Sequence, residues 1–177
     1  AQKDPILAGL WERHQVDSLT GGWDYVEPVL FGWAAGMVIE RWWQEYVAPT
    51  HGRAVAQFHE WMTGSGLLLL ESRIPSIGTI FTTHATMLGR ALSSTGHSPE
   101  EGLGDRTPEE LAETLGVRSK HSLEGVLART ADVFTTVSSI TAADQAELNG
   151  VPAVSTMMPW QAWMFPRKGD PKVGSEW

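Results

Sequence analysis

Ile77-Gly-Thr-Ile-Phe-Thr-Thr83 runs without a break into His84-Ala-Thr-Met-Leu-Gly-Arg-Ala-Leu92. The first half is β-branched and aromatic, the composition of a short strand; the second has the character of a helix. The same succession stands on either side. Arg53-Ala-Val-Ala-Gln-Phe58 leads into His59-Glu-Trp61 and an apolar helical stretch through Leu67-Leu-Leu-Leu70. Ala131-Asp-Val-Phe-Thr-Thr-Val137 leads into Ser138-Ser-Ile-Thr-Ala-Ala-Asp-Gln-Ala-Glu-Leu148. Strand-then-helix units that share no sequence repeat predict an α/β fold, a parallel sheet with helices on both faces. A fourth strand is expected at residues 152–156.

Helix signals elsewhere agree. Pro28 suits a first helical position, and the segment from there to Tyr46 is apolar almost all round, which predicts a deeply packed helix. Thr107-Pro-Glu-Glu110 reads as a capping box opening a helix to Leu115. Residues 122–130 should form another helix, and the Gly/Ser/Pro/Glu stretch between Leu92 and Thr107 a surface loop.

The 177 residues fit one domain, and 42% hydrophobic with 19% charged residues is the balance of a globular chain. A net charge of −8 argues against a nucleic-acid partner. The absence of cysteine fits a reducing cytoplasm. The apolar stretch 26–38 is too short, and too interrupted by Glu27, Pro28 and glycines, to span a membrane. The chain opens Ala1-Gln-Lys-Asp4 and closes on a polar run after Phe165, so both ends read as cut from something longer.

In an open parallel sheet, ligands bind beyond the carboxyl ends of the strands. The residues that follow the three strands are His59-Glu60, His84-Ala-Thr86 and Ser138-Ser139, polar in each case and at the start of a helix, where free N–H groups suit phosphate or sugar oxygens. Each has a structural reading beside the functional one. His59 can cap its helix, Ser138 can be an N-cap, Arg90 can be a solvated helix residue, and the threonines can be plain strand residues. Trp42, Trp43 and Trp61 read as core or interface aromatics. Thr63-Gly-Ser-Gly-Leu67 lacks both outer glycines of a hydrolase elbow, and Gly102-Leu-Gly104 lacks the third glycine of a dinucleotide fingerprint. HExxH is not completed, because position 63 is Thr, and no metal site is expected.

Three strings now carry a resemblance. Ala56-Gln-Phe-His-Glu-Trp61, Ile80-Phe-Thr-Thr-His-Ala-Thr-Met-Leu-Gly-Arg90 and Asp132-Val-Phe-Thr-Thr-Val-Ser-Ser-Ile-Thr-Ala142 resemble, in order, motifs of the glycogen synthases of glycosyltransferase family 3. Asp24-Tyr-Val-Glu-Pro28 through Phe31-Gly-Trp-Ala-Ala-Gly36 is similar to bacterial members. The resemblance covers roughly residues 5 to 150 and implies part of the N-terminal Rossmann-like domain of a GT-B fold. It implies a parent enzyme that transfers glucose from a nucleotide-diphosphate glucose, UDP-glucose first, to the non-reducing end of an α-1,4-glucan with retention and without a metal or other cofactor. His59 matches the family histidine that contacts the donor glucose and is the catalytic candidate. Glu60, His84, Thr86, Arg90 and Ser138 are carried over as substrate or cleft contacts.

The departures from the pattern are as informative. The family's lysine-glycine loop has no counterpart, and the C-terminal domain with its catalytic glutamate is missing. Where the family runs from strand into Pro-Asn-Gly, this chain has Val151-Pro-Ala-Val-Ser-Thr-Met-Met-Pro-Trp-Gln-Ala-Trp-Met-Phe165, as expected of a truncated or frame-shifted reading of a longer gene. Residues 1–156 are expected to form the partial domain, and 157–177 an atypical tail in loop or disorder. The chain alone is expected to be inactive. Three alternatives stand beside this reading: an ADP-glucose-dependent starch or glycogen synthase or other GT-B transferase; a non-catalytic glucan-binding or regulatory module; and a packing domain whose partner is the missing half. Exposed Trp and Met patches would favour the last, and with it a homo-oligomer.

Overall fold

The computed structural model describes residues 3–96 and 104–151 together with the backbone of 155 and 156. Expectations for residues 97–103, 152–154 and 157–177 lie outside the described residues. In chain order the elements are α1 (Lys3–His14), α2 (Trp23–Trp42), a π turn (Trp43–Val47) and a 3-10 turn (Ala48–Thr50). There follow β1 (Val55–His59), α3 (Glu60–Arg73), β2 (Gly78–Thr83), α4 (Met87–Ser94), α5 (Pro108–Thr114) and α6 (Arg118–Thr130). The described part ends in β3 (Val133–Thr136), α7 (Ser139–Asn149) and the two-residue β4 (Ser155–Thr156).

The strands lie side by side in the order β1-β2-β3-β4, all parallel. Three strands carry the sheet and β4 extends it by two residues. With its packed helices this is the architecture of a partial Rossmann-like domain. Phe58, Phe81 and Phe134 sit in one row of the register and point into the main core, with the last two rings stacked at 5.6 Å. At the start of β2 and β3, the Asp132 carboxylate accepts from the Thr79 N–H at 2.8 Å and its hydroxyl at 3.1 Å. That locks the two strands in register.

Helix α3 is the centre of the helical layer. Leu67, Leu68, Leu69 and Leu70 are all fully buried, so the helix is enclosed on every side, each leucine adding about 1.5–3 kcal/mol of burial. It packs against α2, where Gly32 and Gly36 face Ser65 and Gly66 backbone to backbone. The Ser65 hydroxyl donates to the Val29 carbonyl at 2.6 Å across that contact. Leu123 and Leu127 of α6 complete the core. A second cluster, Leu88, Leu92, Leu111, Ala112 and Leu148, joins α4, α5 and α7.

Several boundaries differ from the expectation. Helix α2 begins at Trp23, so Pro28 lies inside it rather than at its first position; the two glycines at 21 and 22 form the entry instead. Helix α2 is also not packed all round. Phe31 and Val38 are 65% and 68% exposed, because only the glycine face meets α3, and Tyr46 in the π turn is 66% exposed. Helix α4 starts at Met87 and not His84, and it runs to Ser94, past the start of the expected loop. Helix α6 begins at Arg118. The capping box at Thr107 is present in full, with Thr107 and Glu110 each satisfying the other's backbone N–H. Trp61 is buried as a core aromatic, stacked on Tyr25 at 5.8 Å.

Candidate functional site

Parallel strands deliver their carboxyl ends to one rim. His59 ends β1, His84 follows β2 directly, and Ser138 stands two residues beyond β3. His59 Nδ1 lies 3.0 Å from His84 Nε2, with the rings tilted at 57°. One ring must accept the shared proton, so the pair cannot be doubly charged and stay bonded. Burial, then the neighbouring His84, lowers the His59 pKa below its ordinary value, with Glu60 opposing the shift. A neutral His59 presents its free Nε2 as acceptor or donor according to which ring holds the shared proton.

Glu60 is the join of strand and helix, at φ +63°. A left-handed conformation is unfavourable for a residue that carries a Cβ by roughly 1–2 kcal/mol, and here it turns the carboxylate across the rim. Its Oε1 accepts from the His84 backbone N–H at 3.1 Å and from Arg90 Nη2 at 3.3 Å. His59, Glu60, His84 and Arg90 therefore form one connected group drawn from β1, the start of α3, the β2–α4 loop and α4. Arg90 stays 56% exposed, its guanidinium charge at the mouth of the group.

Thr86 and Ser138 serve the frame. Thr86 is buried and caps α4, accepting from the Gly89 N–H at 2.9 Å. Ser138 caps α7, accepting from the Thr141 N–H at 3.1 Å, and the Thr141 hydroxyl donates to the His84 carbonyl at 3.1 Å. The third strand's exit is thereby tied to the second's. On the sheet itself Gln57 Nε2 donates to the Thr82 hydroxyl at 2.9 Å, which meets the Thr135 hydroxyl at 2.8 Å, a polar row across the three strands.

Glu124 is the residue that sequence reading missed. It is fully buried on α6 and accepts from the Met87 N–H at 3.2 Å, the Thr83 hydroxyl at 3.4 Å and Asn149 Nδ2 at 3.3 Å. It thus holds the loop that carries His84. Burial pushes its carboxyl up to about 7. The signal was available in outline: a charged residue placed next to Leu123 and within the Leu123–Leu127 turn sits on the core face of its helix.

The two described cavities lie elsewhere. One of about 240 Å³ is bounded by α1, α6 and α7, with Trp11, His121 and Arg129 in its wall. The other, about 230 Å³, lies where the entries of α2 and α6 meet. There Arg118 pairs with Asp17 and Glu113, and Lys120 with Asp24, so its cations are already partnered. No group of three or more metal-ligating side chains occurs among the described residues. No helix among them is long and apolar enough to cross a membrane.

Residues 3–154 match the glycogen synthase family. The chain is 34% identical over 140 residues to the glycogen (starch) synthase of Neurospora crassa, covering 78% of this chain and 19% of that protein. It is 34% identical over 142 residues to isoform 2 of the Saccharomyces cerevisiae enzyme, again 78% of this chain and 19% of the relative. The human liver glycogen (starch) synthase is 43% identical over 88 residues, 50% of this chain and 12% of that one. The chain thus spans less than a fifth of the length of these relatives. The matched span takes in the whole rim from His59 to Ser138, and on that ground the chain belongs to the glycogen synthase family.

Proposed function

We propose that this chain forms one wall of the catalytic cleft of a glycogen synthase, the wall that receives the donor sugar. The observation that carries this reading is the linked group His59–His84–Glu60–Arg90 at the carboxyl ends of parallel strands. The donor is a nucleotide-diphosphate glucose, UDP-glucose first, and the acceptor the non-reducing end of an α-1,4-glucan. In the transfer the bond from the anomeric carbon to phosphate breaks, and a bond to the acceptor oxygen forms with retention. The nucleoside diphosphate leaves, and its freed phosphate oxygen takes the proton that the acceptor hydroxyl gives up.

Each residue has a task in this reading. Nε2 of His59 hydrogen-bonds a hydroxyl of the donor glucose and steadies charge developing on the ring. His84 sets the tautomer of His59, and Glu60 holds the His84 backbone and Arg90 together. Arg90 offers a cation to the donor's anionic side. Thr86 and Ser138 shape the cleft through the helix entries they cap, and those entries aim backbone N–H groups at the rim. The opposite wall, a C-terminal domain with the diphosphate-binding groups, is supplied by the remainder of a longer parent. Catalysis of this kind depends on positioning, so the chain alone gives no measurable transfer to glycogen.

The test is thermal unfolding with and without UDP-glucose and ADP-glucose. A donor at 100 times its Kd raises stability by about 2.7 kcal/mol, roughly 5–10 °C for a chain of this size. UDP-glucose should give the larger shift, and His59→Ala should remove it while leaving the unliganded midpoint near the parent's. A cooperative transition with no shift for either donor would refute a donor site on this chain.

A further inference from the structure

The buried carboxyl of Glu124 meets donors of two kinds. Its Oε2 faces two N–H groups, the Met87 backbone at 3.2 Å and Asn149 Nδ2 at 3.3 Å. Its Oε1 faces a hydroxyl, that of Thr83, at 3.4 Å. An amide N–H can only donate, whereas a hydroxyl donates one hydrogen and also accepts. A proton on Glu124 therefore has one place to sit, on Oε1 and directed at the Thr83 oxygen. The Thr83 hydroxyl in turn has one hydrogen and two acceptors in reach, Glu124 Oε1 and the Ala85 carbonyl at 3.3 Å. An ionised Glu124 draws that hydrogen to itself, since a charged acceptor outcompetes a neutral carbonyl. A protonated Glu124 donates to Thr83 instead, and the hydroxyl turns to Ala85. His84 stands between Thr83 and Ala85.

We infer that Glu124 is a positioning residue whose proton sets how the His84 loop is held: tied through Thr83 to the Ala85 carbonyl when the acid is neutral, released at Ala85 when it is ionised. Burial pushes the carboxyl up to about 7, so the exchange falls near neutral pH. The charges around it do not neutralise it. Glu60, at the start of α3, opposes a second negative charge. Arg90 of α4 is committed to Glu60, and Asp144 of α7 lies against Gly89, its own pKa raised by burial. On α6 itself Arg129 reaches the Asn149 carbonyl, and His121 feels Glu109 of α5 and Arg129. Among the described residues, the partners of the carboxyl are Thr83, Met87 and Asn149, none of them charged. The consequence for the rim rests on the donor site proposed above. A diphosphate beside Arg90 adds negative charge on the side of Glu60 and favours the neutral acid, so donor binding and protonation of Glu124 assist each other.

Amide ¹H–¹⁵N NMR spectra of the full chain, recorded across neutral pH, test this without any ligand. The Thr86 N–H shares its peptide unit with the Ala85 carbonyl, and it should follow the same titration near pH 7 as the Met87 N–H. Glu124→Gln donates to Thr83 as the neutral acid does, so both amides should lose the step and stay at the parent's low-pH position. In Thr83→Val, Met87 should keep the step and Thr86 should lose it. A Thr86 amide that ignores the step in the parent, or keeps it in Thr83→Val, would overturn the inference. So would a Met87 step that survives Glu124→Gln. A glutamate with a merely structural role would leave no titration for glutamine to remove. In the second arm, UDP-glucose affinity should fall about fivefold or more from the acid to the alkaline side of the step in the parent, relative to Glu124→Gln. Equal pH profiles for the two chains would overturn the coupling to the rim. A chain that binds no UDP-glucose at any pH refutes the donor site instead, and the amide spectra then decide the proton exchange by themselves.

Discussion

Gly66→Ala tests whether the α2–α3 contact is as close as it looks. A Cβ at position 66 would lie 2.4 Å from the Gly32 carbonyl oxygen, 2.8 Å from Phe58 Cε1 and 3.2 Å from the Gly36 nitrogen. Two of those obstacles are backbone atoms on a helix, which cannot swing aside. Contact between carbon and its neighbours is comfortable near 3.5 Å, so the helices must part by about 1 Å. Over-packing of this kind costs typically 1–3 kcal/mol, and rigid obstacles place it near the top of that range. Alanine returns about 1 kcal/mol of helix propensity, leaving a net loss of about 2 kcal/mol and a fall of roughly 4–8 °C in Tm. The matched control is Gly9→Ala in α1, where nothing lies within 4 Å of the added carbon. It makes the same change to the unfolded chain without a collision and should raise stability by about 1 kcal/mol. Urea and thermal unfolding of both variants read the difference directly. If Gly66→Ala is as stable as Gly9→Ala, the close approach of α2 and α3 is wrong.

Two further outcomes follow from particular groups. Glu124 has a folded-state pKa of about 7 against the ordinary 4.5, so the unfolded chain releases its proton first as pH rises. Its contribution is therefore most favourable below about pH 4.5 and declines up to about pH 7, where it levels off. His59, His14 and His121, all lowered, act in the opposite sense, losing stability as pH falls below the ordinary histidine value. The informative quantity is the stability of the parent minus that of Glu124→Gln, which should fall between pH 4.5 and 7; denaturant titrations showing a flat difference would contradict the burial of a titrating carboxyl. Thr107→Ala removes half of the capping box and should cost about 1 kcal/mol, a drop of roughly 2–4 °C in Tm, and Glu110→Ala added to it should cost less than it does alone.

Much of the sheet was legible because a parallel strand announces itself in one dimension. Val133-Phe-Thr-Thr136 and Gly78-Thr-Ile-Phe-Thr-Thr83 are β-branched runs that stop at a polar residue, and the helix entry after each carries its own cap. The capping box at Thr107 is a four-residue pattern and needs no tertiary information. What failed were judgements about which face of a helix is covered. The composition of α2 is apolar all round, and composition cannot tell that the face of Tyr25, Val29, Gly32 and Gly36 would meet α3 while Phe31 and Val38 stay outside. Pro28 was a fair starting signal overridden by the turn at Gly21-Gly22, which begins the helix a turn and a half earlier.

The rim shows the same division between local and non-local information. Sequence placed His59, His84 and Ser138 at strand exits but could not pair them, because His59 and His84 are 25 positions apart and meet only when β1 and β2 are in register. Nor could it reveal that Glu60, at φ +63°, spends backbone strain to turn its carboxylate onto the His84 N–H and Arg90. A relaxed Glu60 would follow β1 into α3 without crossing the rim, and His84 and Arg90 would lose their common anchor. The buried Glu124 makes the matching connection from below, fixing Met87 and Thr83 on either side of His84. Two carboxylates from different helices therefore hold one loop, one at the surface and one in the core. Removing either should loosen His84 without touching its ring, which makes the rim a constructed site and not a by-product of strand ends.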